Sequence, residues 1–145
     1  MLMKKITPTS EDYIKAIFVL QQRHSIVRIK DIAAALSVKR PSVVVAIRSL
    51  VDLKIVNHER YGLVELTAHG LNMAQAIQRR HNVIFLFLHE MLGLNAENAD
   101  QEACRIEHYV SQESLERIAR LADFIHALPP HRHMEMEKML NKANT

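Results

Sequence analysis

The hydrophobic pattern changes period twice between residues 29 and 75, and this change constrains the fold more than any other feature of the sequence. Apolar residues recur at helical spacing up to residue 53, alternate as in a β-hairpin from 55 to 66, and then return to helical spacing. Two helices joined by a tight turn and followed by a hairpin are the element order of a winged helix-turn-helix. The sequence therefore predicts a DNA-binding domain over residues 1–75.

The remaining elements are predicted to be helices. Capping residues mark helix starts at Thr9-Ser10, Thr67, Asn95 and Ser111. We expect the fourth helix to reach about Leu92, the fifth to run from Ala96 to Val110, and a short final helix to begin near His133. The predicted fold class is mainly α: a winged helix-turn-helix domain followed by a helical dimerisation and metal-binding domain over residues 76–145.

Charge is divided unevenly between the two halves of the chain. Residues 1–80 carry 13 Lys and Arg against 6 Asp and Glu, whereas residues 81–145 carry 6 against 10. A basic half of this kind is typical of a segment that binds a polyanion. Six of the nine histidines lie in the acidic half, so this half also holds most of the candidate metal ligands.

The sequence favours a cytoplasmic protein without a membrane partner. No apolar run approaches the roughly 20 residues that a membrane span requires. The first residues lack the apolar core of a signal peptide. The single cysteine, Cys104, cannot form an internal disulfide, which agrees with a reducing compartment.

Basic and hydroxyl side chains surround the predicted recognition helix. Arg and Lys contact phosphates and can read guanine, and Ser bonds phosphate oxygens. The basic surface also includes residues before the second helix and at the tip of the wing. The candidate DNA-binding residues are Arg28, Lys30, Lys39, Arg40, Pro41, Ser42, Arg48 and Arg60. A solvated basic face would explain the charges alone, but the order of the elements favours DNA. Val45 either contacts thymine methyl groups or packs in the domain.

A possible metal site follows from three residues in the predicted fifth helix. Cys104, Glu107 and His108 are spaced i, i+3 and i+4, which places them on one helical face. His81 and Asp12 could add ligands from neighbouring helices. Taken singly, a cysteine of this kind is usually part of a core, and a Glu-His pair is usually solvated. Three ligand types on one helical face are less common, so the spacing alone leaves both a metal site and a structural cluster open.

Several separated motifs resemble the diphtheria-toxin repressor family of iron- and manganese-dependent regulators. Between residues 7 and 128 these motifs are 9–13, 31–33, 66–70, 79–81 and 102–108. The resemblance implies a homodimer that binds a palindromic operator in double-stranded DNA when Fe(II) or Mn(II) is present, and represses metal-uptake genes. By position it also implies the metal ligands Asp12, His81, Cys104, Glu107 and His108.

The sequence departs from both branches of that family. Lys15 stands where the manganese branch has a second acidic ligand, and Cys104 replaces one of its glutamates. Phe85 and Asp100 occupy ancillary ligand positions of the iron branch, and of these two only Asp100 can bind an ion. One principal metal site is expected, and a second around His81 and Asp100 stays open. A Cys104 thiolate would favour Fe(II) over Mn(II).

Two other functions compete with this prediction. A winged-helix regulator that works without metal would share the first domain. A metallohydrolase would use the Cys-Glu-His cluster, but the sequence has no nucleophile elbow, phosphate loop or H-E-x-x-H arrangement, so no enzyme is expected. The apolar residues 84–88 with Leu121, Phe124 and Ile125 predict a dimer interface, and an intramolecular core is the alternative.

Overall fold

The computed structural model describes residues 7–60 and 62–142, and the chain divides into two compact units between Gln78 and Arg79. The helices are α1 (Pro8–Arg23), α2 (Ile29–Leu36), α3 (Arg40–Asp52), α4 (Ala68–Leu86), α5 (Ala96–Ile106), α6 (Gln112–His126) and α7 (Pro130–Asn141). The strands are β1 (Val56–His58) and β2 (Val64–Leu66). The predicted, mainly helical fold class is confirmed. Within the described ranges, no helix has the length and apolar character to cross a membrane.

The first unit packs α1, α2, α3 and the hairpin around one hydrophobic core. Its fully buried aliphatic side chains are Ile14, Ile17, Ile32, Val43, Ile47, Leu50, Ile55, Val56 and Val64. Ser37 makes the tight turn after α2 with a left-handed φ of 54°. In the hairpin, β1 pairs antiparallel with β2 so that Val56 lies opposite Leu66. Arg28 forms a further antiparallel bridge to Leu63, which ties the segment before α2 to the wing.

Thr67 caps the start of α4, as the sequence predicts. Its hydroxyl accepts a hydrogen bond from the Gly70 amide at 3.0 Å and donates to the Lys54 carbonyl at 2.8 Å. Gly70 lies so close to the backbone of Ile55, the residue before β1, that a Cβ atom on Gly70 would overlap the Ile55 carbonyl oxygen. The start of α4 is therefore fastened to the chain just before β1.

The second unit has a smaller core of its own. Buried side chains of Ile84, Leu88, Ala99, Ala103 and Leu115 form it. Both α5 and α6 pack against a π-helical segment, residues 87–91, that continues α4. This arrangement places the end of α5 beside the second half of α4.

Three predicted helix limits are wrong: the start of α1, the end of α5 and the start of α7. Helix α1 is capped by Thr7, whose hydroxyl accepts a hydrogen bond from the Ser10 amide, and not by Thr9 or Ser10.

The helical backbone of α4 and its continuation reaches Met91, close to the predicted Leu92, but it is α-helical only to Leu86. In the π-helical segment that follows, the Leu92 amide bonds the Phe87 carbonyl, five residues back. Hydrophobic spacing could not separate the two forms, since either buries Leu88. Helix α5 ends at Ile106 rather than Val110, because the chain must turn before Ser111 caps α6.

The last helix begins at Pro130 instead of near His133. Proline suits a first helical position, where its missing N–H needs no partner and its φ is already helical. Helical spacing of the apolar residues also predicts that Val44 of α3 and Ile106 of α5 lie on core faces, and both predictions are wrong: the two side chains are 36% and 37% exposed. Each lies at the margin of its helix's buried face rather than on it.

Candidate functional site

His81 is buried in the second unit, with both ring nitrogens against carboxylates. Its Nδ1 lies 2.7 Å from Oε2 of Glu107, and its Nε2 lies 3.0 Å from Oδ1 of Asp100. The two carboxylates therefore contact opposite edges of one imidazole ring. A histidine that binds a metal ion through one nitrogen commonly donates its other N–H to a carboxylate. The ring has the surroundings that such a ligand requires.

Cys104 and Glu107 lie on the Nδ1 side of His81. The Cys104 Sγ atom is 3.8 Å from Nδ1, and the Glu107 side chain is fully buried. One ligand atom from each of the three residues lies within 4.8 Å of the other two. Ligands of one ion stand roughly 3–4 Å apart when their bonds measure about 2.0–2.3 Å. A small adjustment, in which His81 and Glu107 move slightly apart, would bring nitrogen, sulfur and oxygen donors onto one divalent ion.

The end of α5 sets the positions of Cys104 and Glu107. Glu107 follows the last α-helical residue but keeps helical angles, φ −54° and ψ −28°, and its amide bonds the Ala103 carbonyl at 2.9 Å. The i, i+3 relation to Cys104 thus survives although α5 is shorter than predicted. His108 lies next along the chain, with Nε2 3.9 Å from Oε1 of Glu107. Both oxygens of this carboxylate therefore face a histidine.

The other predicted metal ligands are placed differently. Asp100 is 60% exposed at its side chain and lies against Nε2, away from Cys104 and Glu107. Asp12 is on α1, in the first unit. Within the second unit, the structure brings together His81, Cys104 and Glu107.

Phe85 is predicted from the sequence as a residue unable to bind metal and as part of the apolar run 84–88, but not as a neighbour of His81. Its ring stacks on His81, with centroids 6.2 Å apart and planes 12° apart, and also on His89 at 5.4 Å. The i, i+4, i+8 spacing of the three rings in the sequence is the signal that could have revealed this stack. Phe85 covers one face of the His81 ring with an apolar surface.

The predicted DNA-binding residues all lie in the first unit and are exposed: Arg28, Lys30, Lys39, Arg40, Pro41, Ser42, Arg48 and Arg60. Five of them begin or occupy α3. Arg60 is in the hairpin turn, which Gly62 closes with a left-handed φ of 84° and a hydrogen bond from its amide to the Glu59 carbonyl. A helix with exposed cations beside a wing that carries an exposed arginine can contact the phosphates of a DNA duplex.

Sequence reasoning left the placement of Val45 open between DNA contact and packing. The side chain is 68% exposed on α3, so it does not pack in the core of the first unit.

Two family models together match most of the chain. The model described as iron dependent repressor, N-terminal DNA binding domain, matches residues 5–64. The model described as iron dependent repressor, metal binding and dimerisation domain, matches residues 67–137.

Relatives and solved structures agree with these matches. The HTH-type transcriptional regulator MntR of Geobacillus thermodenitrificans is 32% identical over 138 residues, which are 95% of this chain and 96% of that protein. The MntR of Bacillus subtilis is 31% identical over 118 residues, which are 81% of this chain and 82% of that protein.

Among solved structures, T. acidophilum IdeR is 31% identical with a TM-score of 0.68, over 76% of this chain and 52% of its own. A manganese-dependent transcriptional repressor in complex with manganese is 32% identical with a TM-score of 0.73, over 79% of this chain and 53% of its own. This chain thus spans about half the length of these two structures.

Proposed function

This chain belongs to the iron-dependent repressor family, and from that premise we propose that it represses metal-uptake genes when Fe(II) or Mn(II) binds at His81, Cys104 and Glu107. The family consists of metal-dependent, DNA-binding transcriptional regulators with a dimerisation domain, and this chain is such a regulator rather than an enzyme. The observation that carries the proposal is the buried cluster of nitrogen, sulfur and oxygen donors in the second unit.

Burial of the Glu107 carboxylate supports a metal ion in this cluster. An ionised carboxylate removed from water is costly unless an opposite charge or hydrogen bonds compensate it. A bound divalent ion supplies that charge and polarises the donor atoms around it. In the proposed site, His81 binds through Nδ1, Cys104 through Sγ and Glu107 through its carboxylate.

Two further ligands complete the proposal. His108 lies beside Glu107, with its side chain 6% exposed, and is close enough to take part after a small adjustment. Asp12 is proposed as a ligand on its position in the sequence motif alone. Asp100 is proposed to hold His81 in orientation, because it contacts the nitrogen that faces away from Cys104 and Glu107.

The DNA-binding part of the proposal places α3 in the major groove. Arg40 and Arg48 would contact phosphates or guanine, and Arg60 would contact the backbone beside the groove. In a homodimer the two copies of α3 must enter grooves about one helical turn apart, roughly 34 Å, so the operator is expected to be palindromic. The chain is proposed to work in the cytoplasm, where such an operator is accessible.

Metal and operator would regulate each other through linkage. If the ion favours the dimer geometry that fits the operator, then operator binding strengthens metal binding by the same factor. The expected coupling is about 5- to 150-fold in DNA affinity, the usual range for such linkage.

Anaerobic fluorescence anisotropy on the protein's own promoter DNA, at fixed salt, tests the proposal. We expect tight binding with Fe(II) or Mn(II) and weak binding in chelator. The Glu107→Ala variant should lose the response to metal, whereas Glu102→Ala, which changes an exposed carboxylate on the same helix, should keep it. Equal DNA affinity with metal and with chelator would favour a metal-independent winged-helix regulator instead.

Cys104 is expected to set the choice of metal. A thiolate favours Fe(II) over Mn(II), whereas a carboxylate suits Mn(II). The Cys104→Glu variant should therefore require less Mn(II), relative to Fe(II), for half-maximal DNA binding in the same assay. An unchanged ratio of the two metal requirements would show that the sulfur atom does not bind the ion.

A further inference from the structure

The face of α3 that points away from the core is apolar near its centre. Val45 is 68% exposed, which is more than any other valine that the structure describes as exposed. Pro41 and Ser42, one turn before it, and Arg48, one turn after it, are exposed on the same side of the helix. An apolar side chain thus stands in the middle of a polar and basic surface.

The core does not need this side chain. The opposite face of α3 buries Val43, Ile47 and Leu50, each at most 1% exposed. These residues already anchor the helix to the first unit. The isopropyl group of Val45 is therefore available to a ligand.

The charges around Val45 favour a polyanion, here duplex DNA, as its ligand. Lys39, Arg40 and Arg48 are exposed on or just before α3 and would face a polyanion. A protein partner that used Val45 would have to accommodate these three cations as well. The proposed function places this same face in the major groove.

Few side chains of α3 can recognise a base through hydrogen bonds. The helix contains no Asn or Gln, the side chains that bind adenine through two hydrogen bonds. Its two arginines can read guanine, and serine has little preference among bases. The remaining feature of the major-groove edge is apolar: the C5 methyl group of thymine.

We propose that Val45 is a specificity-determining residue that recognises the methyl group of a thymine in each half of the operator. This inference rests on the proposed function, because it requires α3 to lie in the major groove. Removing one buried methyl group should weaken binding about three- to fivefold, and removing the equivalent group from both half-sites should weaken it roughly ten- to twentyfold.

The test replaces thymine with uracil, which lacks the methyl group but keeps the same hydrogen-bonding edge. A duplex operator is first selected from randomised DNA by the protein loaded with Mn(II) or Fe(II). Each thymine of the selected operator is then replaced in both half-sites, and affinities are measured by anisotropy at fixed salt. For one thymine that occurs at the same position in both half-sites, replacement by uracil should weaken binding by the original protein roughly ten- to twentyfold.

Variants assign that loss to Val45. In Val45→Ala, uracil at the sensitive position should cause no further loss. Val51→Ala is the matched control: it also shortens an exposed valine of α3, but one that lies roughly a third of a turn around the helix from Val45. This control should keep the full sensitivity to uracil.

The outcomes separate this inference from the proposed function. If metal does not increase the enrichment of any DNA sequence during selection, both the proposed function and the role of Val45 are overturned. Metal-dependent binding with no uracil-sensitive thymine, or with the same uracil effect in Val45→Ala, would overturn the role of Val45 and leave the metal-dependent repressor standing.

Discussion

At the scale of the residue, the two carboxylates beside His81 have different surroundings. Glu107 is fully buried and shares the Nδ1 side with Cys104, whereas Asp100 is largely exposed and contacts Nε2. Sequence reasoning grouped all four residues as metal ligands, and the spacing of Cys104 and Glu107 made their proximity predictable. The edge of the ring that each carboxylate contacts was not predictable, because it depends on how α4 packs against α5.

Replacing Asp100 should separate orientation of His81 from direct metal binding. In Asp100→Ala the Nε2–H loses its acceptor, and metal affinity should fall about tenfold, near the low end of the 10–100-fold usual for such partners because the carboxylate is 60% exposed. Asp100→Asn keeps an oxygen that can accept the bond and should retain most of the affinity. Competition titration with Mn(II) measures the metal affinity of both variants.

The number of ions bound per chain is the control for this experiment. If Asp100 only orients His81, all variants bind the same number. A loss of one ion per chain in both variants would show that Asp100 is itself a ligand of a second site.

At the scale of the element, the starts of α4, α5 and α6 were predictable from their capping side chains, whereas the starts of α1 and α7 and the end of α5 were not. Asn95 and Ser111 accept hydrogen bonds from the amides of Asn98 and Ser114, as their side chains predicted. A start depends on one local side chain, whereas an end depends on where the chain must turn to pack. This difference explains why the end of α5 and the π-helical continuation of α4 were missed.

The start of α4 yields a prediction with an unusual sign. Gly→Ala within a helix normally stabilises by about 0.5–1 kcal/mol. Gly70→Ala should instead destabilise by about 1–3 kcal/mol, because the added methyl group overlaps the carbonyl oxygen of Ile55. Urea unfolding followed by circular dichroism measures the change in the free energy of unfolding.

Asn72→Ala, at an exposed position of the same helix, is the control and should change stability little. A Gly70→Ala variant as stable as the original chain would mean that the Ile55 backbone moves away from the added methyl group with no loss of free energy of unfolding.

At the scale of the whole molecule, the second unit leaves large apolar side chains exposed. Leu86, Leu121 and Phe124 are 43%, 47% and 66% exposed. Ile84 and Leu88, which were predicted to join them in the dimer interface, are buried inside the unit, so the alternative of an intramolecular core is correct for those two. The family model for this region describes a dimerisation domain, and the exposed side chains suit that role.

Phe124→Lys should therefore weaken the homodimer. A charge within an apolar interface loses its hydration without gaining a partner. Sedimentation should therefore show a larger monomer fraction, and operator binding should be weaker. Asp123→Lys introduces the same charge at the neighbouring exposed position of α6 and should leave the dimer intact. Dissociation in both variants, or in neither, would place the interface elsewhere.

Helix α7 differs from the others because none of the side chains along Pro130–Asn141 is buried. Isolated helices of about 12 residues are marginal in water, so little of the energy that holds the fold resides in this segment. Mutations there should change the stability of a single chain little, which would leave selection freer to alter the segment's length and sequence. Among descendants of this protein, divergence is expected to accumulate first at this end of the chain.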